Sequence, residues 1–141
     1  MNFIKTIYYS QYYELKKTGR DPQKGRINGT LLSATVIILN LASMIIILYK
    51  TSPSSRIILF FKELVSGYSG NGKMLGELFG AILIAGIGSL LHVTIGSRSS
   101  YNRIAENYMQ LPEEVQARTV KRSLLIFIVS FGLFLVLMFF S

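Results

Sequence analysis

The sequence predicts an all-α integral membrane protein, one membrane domain of three transmembrane helices and two short interfacial amphipathic helices. Three observations predict it. Only 16% of the 141 residues are charged, against about 25% in an ordinary soluble domain. Mean hydropathy is +0.43, and the apolar residues gather into three blocks, as they do when lipid replaces water around a segment. No polar stretch between the blocks reaches thirty residues, too short for a separate core without staples.

Residues 2–17 read as a first interfacial helix. Phe3, Ile4, Ile7, Tyr8 and Leu15 share a broad face, with Lys5, Ser10, Lys16 and Lys17 opposite. Four of the eight tyrosines cluster here, at Tyr8, Tyr9, Tyr12 and Tyr13. A tyrosine ring suits the headgroup layer, with its hydroxyl left wet. This face is expected on the membrane surface or against a partner subunit. The amino terminus lacks the compact apolar run of a cleavable signal peptide, so the first span is expected to act as an uncleaved anchor. Gly19, Pro22, Gly25 and Gly29, with Arg20, Lys24 and Arg26 among them, predict a basic loop over 18–29.

The first span is residues 31–49, whose nineteen positions come close to the ~30 Å hydrocarbon core. Asn40 sits at its midpoint with Ser33, Thr35 and Ser43 nearby, and at that depth its face is expected to point at another helix. A second interfacial helix follows over 56–68. There Ile57, Ile58, Phe60, Phe61, Leu64, Val65 and Tyr68 fall on one arc, too short to cross. Residues 69–73 form a glycine-rich turn.

Residues 75–96 make the second span. Gly76, Gly80, Ala81, Ala85, Gly88 and Ser89 give it a small-residue face for close helix packing. That face marks it as the packing spine of the domain. Residues 97–122 predict a cytoplasmic helical extension of the hairpin, with Ser97 to Ser100 equally readable as a kink. Tyr101, Ile104, Ala105, Tyr108 and Met109 repeat on one helical face, and Pro112-Glu113-Glu114 is a helix start. Residues 123–140 are the third span, rich in phenylalanine and leucine and expected to face lipid.

Basic residues orient the chain. Six Lys or Arg precede the first span, four lie between the first and second, and five lie between the second and third. Eleven against four predicts a multi-pass protein of the cytoplasmic (inner) membrane, with its amino terminus inside and its carboxyl terminus outside. Lys16, Lys17, Arg20, Lys24, Arg26, Arg118, Lys121 and Arg122 then form a basic membrane surface suited to anionic lipid. This accounts for the net charge of +8 without nucleic acid, for which a basic face with stacking aromatics is missing.

Chemistry has few candidates. Cysteine is absent, which excludes disulfides and thiolate sites, and a single histidine excludes a histidine metal cluster. No cofactor or catalytic set is expected. Glu77 and His92 are the ionisable residues of the second span. Fifteen positions separate them, roughly 22 Å along one helix, so they cannot act together within it. The three-helix plan is similar to that of the small bacterial diacylglycerol kinases. Of their Glu-x-x-Asn-Ser/Thr-Ala-x-Glu signature only Glu77 aligns, and no catalytic residue carries over.

The sequence therefore predicts a non-catalytic accessory or structural subunit of a larger inner-membrane complex, acting through helix packing with other subunits. The alternative is a homo-oligomeric channel, transporter or membrane-permeabilising effector, its path lined by Asn40, Glu77, Ser89 and His92. Below both stands a lipid-modifying enzyme at the cytoplasmic interface.

Overall fold

A computed structural model describes residues 2–66 and 72–140, with side chains described over 2–63 and 78–140. Tyr68 and residues 69–71 of the expected turn lie outside these. Six α-helices follow in order: α1 (Phe3–Lys17), α2 (Gly25–Thr51), α3 (Arg56–Ser66), α4 (Gly72–Thr94), α5 (Arg98–Met109) and α6 (Glu113–Phe139). No strand occurs among the described residues.

Two helices, α2 and α6, are long and apolar enough to cross a membrane, and a third crossing is available if α4 and α5 are one broken span. Each of the two has 27 residues, about 40 Å at helical rise. Their exposed surfaces are apolar: Leu41 and Met44 on α2, and Leu124, Leu125, Ile128 and Val136 on α6. Water would penalise such a surface, whereas lipid matches it. These features suit a membrane-embedded protein.

The central helix is α2, which packs against α1, α4 and α6. This corrects the expectation that the second apolar segment is the spine, since α4 forms no extended contact with α6. Serine explains the choice. Helix α2 buries Ser33, Ala34 and Ser43 and α6 buries Thr119, Ser123 and Ser130, small side chains that let backbones approach closely, and Ser130 meets Asn40 of α2 directly.

The first helix packs against α2, α5 and α6 of its own chain. Five successive residues, Thr6 to Ser10, are buried there. Ser10, read as part of the polar face, donates to Ser123 Oγ at 2.9 Å. Asn2 caps the helix start by accepting from the Ile4 amide. At the other end Gly19, at φ 68°, lets the Arg20 and Gly19 amides turn back onto the carbonyls of Leu15 and Lys16.

The expected basic loop over 18–29 is shorter than predicted. Asp21 caps a 3-10 turn at Pro22–Lys24, and α2 begins at Gly25. Gly25 and Gly29 are helical, and what they supply is space. A Cβ on Gly25 would strike the Tyr101 hydroxyl, and one on Gly29 would come within 2.7 Å of the Tyr8 ring.

The extension beyond the second span is helical and kinked at its start. The axes of α4 and α5 differ by 68°, with the break at Ile95-Gly96-Ser97. Both the Ile95 and Gly96 amides bond to the Leu91 carbonyl at 2.9 Å, closing α4, and α5 turns onto α1. Burial explains the turn: Tyr101, Ile104, Ala105 and Tyr108 form the face that α5 buries, and α1 offers the surface to bury it.

Candidate functional site

The densest set of polar side chains is where α1, α5 and the starts of α2 and α6 meet. Its core is tyrosine. Tyr8, Tyr9 and Tyr101 are fully enclosed and Tyr108 nearly so. Tyr9 stacks on Tyr108 with ring centroids 4.4 Å apart, while Tyr101 receives the edges of Tyr8 and Tyr12. Such pairs add about 0.5–1.5 kcal/mol each beyond the area they bury.

A buried phenol needs a partner for its hydroxyl, and each enclosed ring has one. Tyr8 Oη and Thr30 Oγ1 are 2.6 Å apart. Tyr9 donates to Gln116 Oε1 at 2.9 Å, and Tyr101 donates to the Pro22 carbonyl at 2.8 Å. Together these bonds tie α1 to α2 and α6, and α5 to the turn before α2. Burial pushes the Tyr8 and Tyr101 phenols above their usual range, and Tyr9 to about 12, helped there by its tyrosine neighbours.

Gly96 closes the junction. Its Cα lies so near Thr30 Oγ1 and Tyr8 Oη that an added Cβ would sit 3.0 and 3.1 Å from them. Its carbonyl accepts from Arg26 Nε at 2.7 Å. Arg26, grouped by sequence with the membrane-surface cations, is therefore a structural crosslink placed at the negative end of α4. Lys17, Arg20, Lys24, Arg118, Lys121 and Arg122 are exposed. Lys16 is exposed too and reaches Met109 Sδ at 3.5 Å.

A second polar region lies along α2 and α6. Asn40 Nδ2 donates to Ser130 Oγ at 3.0 Å and to the Val36 carbonyl at 2.8 Å. Ser33 and Ser43 are buried, and their hydroxyls find no partner among the described residues. At the far end Lys50 Nζ donates to the Phe140 carbonyl at 2.9 Å, so the end of α6 sits with the end of α2, opposite the tyrosine junction.

The candidates on α4 are not brought together with these. Gly76 and Glu77 belong to α4, and their surroundings and the Glu77 side chain lie outside the described part. A Cβ at Gly80 or Gly88 would meet nothing within 4 Å, and Ala81, Ala85 and Ser89 are exposed. Among the described residues this small-residue face meets no cover, while α4 turns Leu83, Ile87 and the buried Leu91 inward. His92 is exposed, and Asn40 is engaged with α6, so the proposed path of Asn40, Ser89 and His92 is not assembled within one chain. Among the described residues no three acidic, histidine or cysteine side chains are placed to hold a metal ion.

The tyrosine junction was missed as a core because tyrosine reads as interfacial beside an apolar segment. The signal that could have found it is the pairing of two tyrosine-bearing helical faces, 8–13 and 101–108, with glycines opposite them at 25, 29 and 96. No protein-family model, no curated protein and no solved structure matches the chain.

Proposed function

We propose that the chain is a non-catalytic accessory or structural subunit of a larger inner-membrane complex. In this reading α2, α4 and α6 make three crossings, α3 lies in the interface, and the tyrosine junction stands on the cytoplasmic side. The eleven basic residues near that end, against four near the other, support the orientation. The amphipathic sequence of α3, with Ile57, Leu59 and Phe60 exposed, supports its place at the surface.

One observation carries the reading. An apolar helix of crossing length presents Gly80, Ala81, Ala85, Gly88 and Ser89 to no partner among the described residues. Lipid gains nothing from small residues, whereas a second helix gains close backbone packing. The other polar groups support the same view. Tyr8, Tyr9, Tyr101, Arg26 and Asn40 all hold one helix to another, which is the work of a scaffold.

Purification in mild detergent with native mass measurement tests the proposal. Unlike chains are expected to co-purify and to be lost when Ala85 and Ser89 are replaced by leucine. A stable assembly of this chain alone would favour a homo-oligomeric channel or transporter, and a monomer unaffected by the substitutions would sink the subunit reading.

A further inference from the structure

A groove of about 540 Å³ runs along one flank of α6. Arg118, Lys121 and Arg122 line one part of it, and Val115, Leu125 and Ile126 line the rest. Spacings of three and four place the cations as neighbours on the helix surface, about 5–6 Å apart at Cβ. None of the three takes part in an ion pair among the described residues, Glu114 one turn earlier included. Thr119, also in the wall, spends its hydroxyl on the Val115 carbonyl. The groove therefore offers positive charge with no carboxylate among its lining residues.

We propose that this groove seats an anionic phospholipid, its phosphodiester held by Arg118, Lys121 and Arg122 and its acyl chains laid on Leu125 and Ile126. The inference rests on the membrane reading above and names one lipid class and one place. Position decides between a lipid and a soluble phosphate. Arg122 is the last charged residue of the chain, and the run from Leu124 to Phe140 that follows is almost wholly apolar, so the cations sit at headgroup level when α6 crosses. Guanidinium groups match phosphate oxygens in pairs of hydrogen bonds. Leu125, 61% exposed, adds an apolar surface of the kind a chain occupies and a free phosphate does not. A smaller groove, bearing Lys5 and Arg103, lies at the same end and provides the control.

The full-length protein in detergent micelles, titrated with phosphatidylglycerol or phosphatidylcholine and read by native mass spectrometry, tests the site. Wild type is expected to hold phosphatidylglycerol about tenfold or more tighter, since each surface cation contributes about fivefold. R118Q/K121Q/R122Q should fall to within about twofold of its phosphatidylcholine affinity, while R118K/R122K keeps most of the preference. K5Q/R98Q/R103Q, which removes equal charge elsewhere, should retain it. Should the triple variant lose helicity, R118Q and R122Q singly take its place, each weakening binding severalfold. Equal loss in the control triple would overturn the proposal in favour of diffuse charge. Displacement by millimolar glycerol phosphate would overturn it in favour of a soluble anion. No preference in wild type overturns it outright. Retention of wild type in carbonate-washed membranes is scored separately, and its failure would reject the membrane reading itself.

Discussion

Tyr9 is enclosed on all sides, stacked on Tyr108 and bonded to Gln116, and burial raises its phenol from 10.0 to about 12. The unfolded chain ionises near 10, so the stabilisation from keeping Tyr9 neutral is fully present below pH 10 and disappears as pH climbs through about 12. Phenolate absorbance is therefore expected to lag that of free tyrosine, and its late part should rise together with loss of helical circular dichroism. A titration complete near pH 10 with helicity intact would contradict the enclosure. Glycine supplies a second test at this scale. Gly29→Ala drives a methyl against the immobile Tyr8 ring and should cost about 1–3 kcal/mol, the usual penalty of overpacking. Gly88→Ala meets open space and should leave the thermal midpoint of the isolated chain unchanged. The two midpoints, measured in the same detergent, check the contrast.

At the scale of elements, apolar blocks were legible because a crossing helix declares itself by length and hydropathy. The α5 face was legible for the same reason, its repeat of Tyr101, Ile104, Ala105 and Tyr108 being helical in period. What hid was the role of glycine and serine. Gly25 and Gly29 read as breakers, yet their missing side chains admit two tyrosine rings into a helix flank. The serines of α6 at 123 and 130 look incidental in a phenylalanine-rich run until α1 meets the first and α2 the second. Local sequence carries period and propensity, and it does not say which of two small-residue faces finds a partner. Hence α4 looked like the spine and α2 is. The Asn40–Ser130 bond gives the α2–α6 pair a measurable strength. A double-mutant cycle with Asn40→Ala and Ser130→Ala should return a coupling of about 0.6 kcal/mol and not above about 1.7, the range found for such bonds in lipid. Zero coupling would mean that the pair is held by packing alone.

For the whole molecule, the two ends differ in kind. One end holds the tyrosine junction and most of the basic residues, and the other holds α3, Lys50 and the end of α6. Because the chain has no cysteine, single cysteines can report on each end without background. A cysteine at Ser99 is expected to be shielded from an impermeant maleimide in intact cells and one at Ser54 to be labelled; the reverse pattern would invert the orientation.

The clasp of α1 also has a consequence in time. Tyr9 bonds to a residue 107 positions later, and Ser10 to one 113 positions later. Tyr8 meets Thr30 only 22 positions on, whereas the α6 partners of Tyr9 and Ser10 lie beyond α2 to α5 in the chain. Long-range closure of this kind is slow. Docking of α1 therefore divides in time, an early half against α2 and a late half against α6.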